Sequence, residues 1–63
     1  MSDNTAILAG YTKEISVVSG PYDLHLWVKP DADFDSRFKA YDADECEYIH
    51  VNGWLIEDIE YLN

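Results

Sequence analysis

Residues 22–29 constrain the fold of this chain most, because the character of their side chains alternates with a period of two. One face of this segment carries Tyr22, Leu24, Leu26 and Val28, and the other carries Asp23, His25, Trp27 and Lys29. Successive side chains of an extended backbone point to opposite faces, so the pattern predicts a half-buried β-strand. Gly20-Pro21 predicts a tight turn before the strand, and Pro30 ends it because proline cannot donate to a ladder. The chain should therefore contain a sheet with at least one covered face.

Three further strands are predicted around this one. They are residues 11–19, which are rich in β-branched side chains, and the short runs 37–41 and 47–51. Residues 1–10 show no clear period and are expected to form a flexible or edge segment, with Ile7 and Leu8 against the core.

Asn52-Gly53 is the strongest local signal in the sequence. A two-residue Asn-Gly loop between apolar runs favours a type I′ hairpin, because both positions need positive φ. In that hairpin Val51 would face Trp54 and Ile49 would face Ile56. The end of the chain also allows a helical alternative, because Leu55, Ile59 and Leu62 fit helical spacing.

These patterns predict one domain over residues 1–63, in the all-β or α+β class. Its centre would be a small antiparallel sheet of four to five strands containing the Asn52-Gly53 hairpin, with room for one short helix on one face. In so short a chain, dimerisation through an apolar sheet face or an exposed edge strand is a further expectation.

The charge of the chain is strongly negative and uneven. There are 13 acidic residues against four Lys and Arg, which gives a formal net charge of −9. Residues 31–63 hold ten of these acids and have only Arg37 and Lys39 as bases. Direct binding to nucleic acid or to an anionic membrane is disfavoured, because both need clustered cations. Fast association with a basic partner is favoured.

Cysteine usage and the N-terminal sequence bear on localisation. Cys46 is the single cysteine, whereas a short secreted domain usually carries an even-numbered disulfide framework. The start of the chain lacks the basic and apolar run of a signal peptide, and no apolar stretch approaches a membrane span. The expected location is the cytoplasm.

An enzymatic role is not expected. A domain of this size buries only about 60% of the surface of its unfolded chain, which leaves little room for a deep active-site pocket. His25 and His50 are conceivable bases for Cys46, but no local motif places a base beside the thiol. We therefore expect no catalytic residue, no cofactor and no metal site.

Calcium binding remains an alternative function. Asp31-x-Asp33-x-Asp35 resembles the opening of an EF-hand loop, but Ser36 stands where glycine is needed and Asp42 where a bidentate glutamate is needed. The flanking segments also read as strands. A weak calcium-binding protein would gain stability with calcium and lose that gain on Asp33→Ala.

The spacing of the acids indicates a binding role. Several alternate at i, i+2, namely Asp31/Asp33/Asp35, Asp42/Asp44 and Glu45/Glu47. In an extended backbone this spacing is about 6.8 Å, which is close to the axial rise of every second phosphate along a nucleic-acid strand. Aromatic side chains among acids are typical of binding surfaces. The candidate partner-binding residues are Asp31, Asp33, Asp35, Asp42, Asp44, Glu45, Glu47, Glu57, Asp58, Glu60, Tyr41 and Tyr48.

The acids from Asp31 to Glu60 and the aromatics between them give the chain a resemblance to a class of proteins. It resembles the small, acidic, cysteine-poor phage-encoded inhibitors of host defence, such as anti-CRISPR proteins, restriction inhibitors and uracil-glycosylase inhibitors. The resemblance lies in composition and covers roughly the second half of the chain. It implies a stoichiometric inhibitor that mimics DNA and occupies the basic groove of a nuclease, polymerase, glycosylase or CRISPR effector.

One further function remains open from the sequence. The chain could be a protein-interaction module that binds through an apolar or edge-strand surface, with its acids serving solubility only. That module would bind with weak salt dependence and would be sensitive to changes at Trp27 or Trp54.

Overall fold

The computed structural model describes residues 2–62 and has one five-stranded antiparallel sheet. The elements in chain order are α1 (Ser2–Leu8), β1 (Lys13–Ser19), β2 (Tyr22–Val28), β3 (Arg37–Asp42), β4 (Glu47–Asn52), a 3-10 helix (Gly53–Leu55) and β5 (Asp58–Tyr61). The strand order across the sheet is β4-β3-β2-β1-β5. The first four strands follow one another, and β5 returns to pair with β1. The predicted fold class is therefore confirmed.

The core lies on one face of the sheet, where side chains of β1, β2, β3 and β4 pack together. Ile15, Val17, Leu26, Val28 and Ala40 are at most 1% exposed. The ring of Phe34, in the loop between β2 and β3, closes this face. Its centroid lies 5.0 Å from that of Phe38 on β3 and 6.5 Å from that of Tyr61 on β5. One loop residue thus bridges strands that are far apart in the sheet order.

The opposite face is partly covered by α1, so Ser2–Leu8 is a helix and not the edge segment that was expected. The helix ends in a paired hydrogen-bond motif, in which Tyr11 N donates to Ala6 O (2.9 Å) and Gly10 N donates to Ile7 O (3.0 Å). Gly10 takes a φ of 96°, which suits glycine at this position. Ala6 and Tyr11 are buried. Ile7 and Leu8 are exposed, so the expectation that they lie against the core is wrong.

The predicted hairpin at Asn52-Gly53 is wrong. Asn52 is extended (φ −83°, ψ 102°), Gly53 begins the 3-10 helix, and β5 pairs with β1 instead of β4. The pairs Val51–Trp54 and Ile49–Ile56 therefore do not form across a turn. The helical alternative for the end of the chain is also wrong, because residues 58–61 form a strand.

Close packing explains the glycine at position 53. Gly53 is buried, and its N–H donates to Ser36 O at 3.0 Å. A Cβ added there would lie 1.9 Å from Phe34 O and 2.6 Å from Ser36 O. The backbone of the β2–β3 loop thus occupies the space that any side chain would need, and this tertiary contact overrides the local Asn-Gly preference.

Within residues 2–62, no helix combines the length and the apolar character that crossing a membrane requires.

Candidate acidic binding surface

The acids between β2 and β3 lie in turns. Asp33 Oδ1 accepts a hydrogen bond from Asp35 N (2.9 Å), and Asp33 O accepts one from Ser36 N (3.3 Å). Asp31, Asp33 and Asp35 are all exposed, but the backbone folds back on itself instead of extending. The expected 6.8 Å spacing is therefore wrong for this group, because the aspartate carboxylate caps its own turn.

The acids between β3 and β4 form a second turn around a buried carboxylate. Asp42 is 6% exposed, and its Oδ1 accepts hydrogen bonds from Asp44 N (3.0 Å) and Glu45 N (3.3 Å). Cys46 has a φ of 56° and donates its N–H to Asp42 O at 2.7 Å. The extended spacing is therefore wrong for Asp42/Asp44 and for Glu45/Glu47 as well. The side chains of Asp44, Glu45 and Glu47 are exposed, whereas that of Asp42 organises the turn.

An extended row of carboxylates does exist, on β5. Asp58 and Glu60 are exposed, are separated by one residue of the strand, and share the sheet face opposite the core. Asp23 on β2 joins them, because Val18 of β1 is registered with both Asp23 and Asp58. Strand geometry places Asp58 and Glu60 about 6.8 Å apart along the strand, and Asp23 about 9.5 Å from Asp58 across two strand spacings. We call Asp23, Asp58 and Glu60 the carboxylate array.

The array is bordered by a hydrogen-bonded pair of side chains. His25 Nε2 and Glu14 Oε2 are 2.5 Å apart, and their side chains are 37% and 25% exposed. Ser16 is registered with both His25 and Glu60, so the pair lies in the row next to that of Asp23 and Asp58.

The four cationic side chains leave the array unneutralised. Among the side chains of residues 5–62, no Lys or Arg nitrogen lies within 4.0 Å of a carboxylate oxygen of Asp23, Asp58 or Glu60. Instead, each lysine ammonium lies over a tyrosine ring, at 5.0 to 5.4 Å from the centroid. The pairs are Lys13 with Tyr61, Lys29 with Tyr11, and Lys39 with Tyr48. Attraction between cation and ring favours these positions of the ammonium groups.

The two tyrosines among the candidates belong to an aromatic cluster on β3 and β4. Tyr41 is 4% exposed, and its ring centroid lies 5.1 Å from that of Tyr48. Tyr48 is 39% exposed and also stacks 5.1 Å from Tyr11. Tyr41 therefore contributes to packing beneath α1, and Tyr48 is the member of the cluster that solvent reaches.

The candidate residues thus divide into separate groups. Asp58 and Glu60 lie in the array, and Asp35 and Glu57 line a depression beside Asp58. The turn after Asp42 lies on the other side of β2, where Ala43 N donates to His25 O (3.0 Å). Sequence reasoning missed Asp23 and Glu14 as members of this surface. The polar position of Asp23 in the alternating segment was a signal that could have indicated it.

An apolar groove lies at the end of the sheet. It has a volume of about 320 Å³ and lies between the β1–β2 turn and the 3-10 helix. Its lining residues are Ser19, Gly20, Pro21, Tyr22, Leu55 and Glu57. Tyr22 is 66% exposed and Leu55 is 55% exposed, and neighbouring Trp54 is 63% exposed.

The acidic side chains were also compared with the geometry that a metal ion needs. In the part of the chain that the structure describes, no three His, Cys, Asp or Glu residues are placed to hold a metal ion together. The calcium alternative therefore has no supporting geometry there. Cys46 is exposed and is not in a disulfide.

The chain matches no protein-family model, and no curated protein sequence or solved structure matches it.

Proposed function

We propose that this chain is a small acidic binding protein that occupies the basic groove of a nucleic-acid-handling protein. The partner classes are those expected from the sequence: a nuclease, polymerase, glycosylase or CRISPR effector. The protein would act as a stoichiometric inhibitor by mimicking nucleic acid, in the cytoplasm of the cell that contains the partner.

One observation carries this proposal: the carboxylates of Asp23, Asp58 and Glu60 have no Lys or Arg nitrogen at ion-pair distance among the side chains of residues 5–62. The three lysine ammonium groups lie over tyrosine rings instead of beside these three carboxylates. The chain has a net charge of −9, and most of its acidic side chains are exposed to solvent. Such a field attracts a cationic surface and accelerates encounter with it.

The geometry of the array favours mimicry over a merely solubilising role. A sheet holds its side chains on a rigid backbone, so the carboxylates are presented in fixed positions. The spacing of about 6.8 Å along β5 is close to the axial advance of two nucleotides on one nucleic-acid strand. The separations between carboxylates of the array, about 6.8 and 9.5 Å, are close to the screening length of about 8 Å at physiological ionic strength, so their electric fields add.

Two variants of equal charge separate this proposal from a general effect of acidity. The array variant carries Asp23→Asn, Asp58→Asn and Glu60→Gln. The turn variant carries Asp31→Asn, Asp44→Asn and Glu45→Gln. Each removes three exposed acids by the same chemistry, so their net charges are identical. None of the six side chains is buried, so both variants should fold.

The test is capture from host-cell lysate with the immobilised protein, followed by elution with duplex DNA or with salt. The proposal expects a nucleic-acid-binding protein that DNA and high salt both displace. It also expects the array variant to capture much less of that protein than the turn variant does. The proposal fails if DNA does not compete, or if the two variants capture equally.

A second candidate function is supported by the exposed aromatic and aliphatic side chains at the 3-10 helix. Trp54 and Leu55 are more than half exposed, which is typical of an interaction surface. In this candidate the acids serve solubility, and self-association through the edge strands β4 or β5 belongs to it. It expects capture that resists salt and is lost on Trp54→Ala, and sedimentation would detect a dimer.

A further inference from the structure

Four side chains that donate hydrogen bonds lie together on β3 and β4, on the sheet face opposite the core. Arg37 is registered with Asn52, and Lys39 is registered with His50, so all four point to the same side. All four residues are exposed. Strand geometry places registered side chains about 5 Å apart and places Arg37 about 6.8 Å from Lys39 along β3. We call Arg37, Lys39, His50 and Asn52 the donor block.

No acid of these two strands shares the face of the donor block. The acids of β3 and β4 are Asp42 and Glu47, which are registered with each other on the other face. Among the side chains of residues 5–62, no carboxylate oxygen lies within 4.0 Å of a nitrogen of Arg37, Lys39 or His50. The chain has 13 acids, yet two of its four Lys and Arg residues lie in a block that is open to an external anion.

The donor block and the carboxylate array lie at opposite ends of one sheet face. Tyr41 of β3 pairs with Trp27 of β2, and Ala6 of α1 packs with both. In this antiparallel pair, the residues before Tyr41 and the residues before Trp27 extend in opposite directions. Lys39 therefore lies on one side of the pair and Asp23 on the other. The face carries two regions of opposite charge with the helix between them.

The charge of the array decides which anion suits the block. A nucleic acid carries a negative charge at each phosphate and no cation, so a strand that extends from the block meets repulsion from the array on the same face. A protein surface can present a carboxylate to the block and lysine or arginine to the array. Arginine also binds a carboxylate through two parallel N–H···O hydrogen bonds.

We infer that the donor block binds an aspartate or glutamate side chain of the partner protein, beside the basic groove that receives the array. The inference rests on the proposed function, because the array supplies the contact that brings the partner to this face. It adds a second requirement to partner choice, since a groove with only cations around it would repel Arg37 and Lys39. The two regions together also fix one orientation of the chain in the groove.

Three short probes test this with the ¹⁵N-labelled full chain by NMR titration at constant ionic strength. The first is acetyl-Glu-Ser-Glu-amide, the second is acetyl-Lys-Ser-Lys-amide, and the third is the thymidine trinucleotide, which carries phosphates instead of carboxylates. We expect the acidic peptide to shift the amide signals of Lys39 and His50, and the basic peptide to shift those of Asp58 and Glu60. The trinucleotide should shift Lys39 and His50 less than the acidic peptide does at equal concentration, and a larger shift would overturn the assignment to a protein carboxylate.

A matched pair of lysine variants completes the test. Lys39 and Lys13 each lie over a tyrosine ring, at 5.0 and 5.3 Å from its centroid, but Lys13 is registered with Val28 on the core face. Lys39→Gln and Lys13→Gln therefore change the net charge equally, and each removes one contact between cation and ring. Lys39→Gln should weaken binding of the acidic peptide by about threefold, as expected for one exposed charge pair, and Lys13→Gln should weaken it much less.

The outcomes separate this inference from the proposed function. Equal weakening by the two variants, or no shift of Lys39 and His50 with the acidic peptide, overturns the inference. The proposed function stands in that case if the basic peptide still shifts Asp58 and Glu60. If the basic peptide shifts neither of them, the proposed function fails and the inference fails with it.

Discussion

Replacing Gly53 by alanine should destabilise the protein by several kcal/mol, because the added methyl group would lie inside the β2–β3 loop. The new Cβ would be 1.9 Å from Phe34 O and 2.6 Å from Phe34 C, which are both backbone atoms. The loop backbone must therefore move by more than an ångström. That movement would pull Phe34 away from Phe38 and break the hydrogen bond from Gly53 N to Ser36 O.

The magnitude follows from three contributions. Overpacking of a close contact costs about 1–3 kcal/mol. The hydrogen bond contributes about 0.5–1.5 kcal/mol, and the aromatic pair contributes a similar amount. Allowing for partial relaxation, we expect a loss of about 2–4 kcal/mol. A 63-residue domain has a total stability of roughly 3–9 kcal/mol, so the midpoint of thermal unfolding should fall by at least about 10 °C.

Urea and thermal unfolding, followed by tryptophan fluorescence and circular dichroism, measure this loss. Gly20→Ala is the matched control, because Gly20 has a φ of 60° but nothing within 4 Å of its added Cβ. Left-handed strain alone should cost that variant about 1–2 kcal/mol. If Gly53→Ala were no more destabilising than Gly20→Ala, the close approach of the loop to position 53 would be refuted.

Three further predictions concern the core and the β3–β4 turn. Leu26→Ala should lower the free energy of unfolding by about 2–5 kcal/mol, because Leu26 is fully buried. Leu8 is 88% exposed, so Leu8→Ala should change the free energy of unfolding by less than about 0.5 kcal/mol in the same urea assay. Asp42→Ala should lower the free energy of unfolding by about 1–3 kcal/mol, because two backbone N–H groups lose their acceptor. Asp42→Asn should lower it by less, because asparagine keeps Oδ1. Equal losses for the two variants would contradict the turn geometry. Cys46→Gly should stabilise the protein by up to about 1 kcal/mol, because Cys46 has a φ of 56°, and a clear drop in the urea midpoint would contradict this.

The first four strands were predictable because their signals are local, whereas the start and the partner of β5 were not. Alternation defined β2 to within a residue, since Lys29 was included and the strand ends at Val28. The helix α1 was not predictable from periodicity, because it has seven residues and its single described buried side chain is that of Ala6. Gly10 could have indicated where the helix ends, because glycine is common just after the C-terminus of a helix.

The error at Asn52-Gly53 has a tertiary cause. The local preference for positive φ at both positions competes with the contact between Gly53 and the β2–β3 loop, and the contact prevails. A pattern of neighbouring residues carries no information about a loop that lies some twenty residues earlier in the chain.

The candidate surface was predictable in composition but not in arrangement. Most of the exposed acids were named from the sequence, including Asp58 and Glu60 on β5. The spacing argument failed at the loops, because aspartate accepts hydrogen bonds from its own backbone and so favours turns over extended chain. Asp23 comes beside Asp58 only through the pairing of both with Val18 in the sheet.

The association rate of the captured partner, measured between 50 and 500 mM NaCl, tests the central claim most directly. The unmodified chain, the array variant and the turn variant are compared in parallel. The account predicts that the rate for the unmodified chain falls steeply with salt, by about tenfold or more. At low salt, the array variant should associate several-fold more slowly than the turn variant, although their net charges are equal. A rate that is independent of salt, or the same rate for the two variants, would contradict the account.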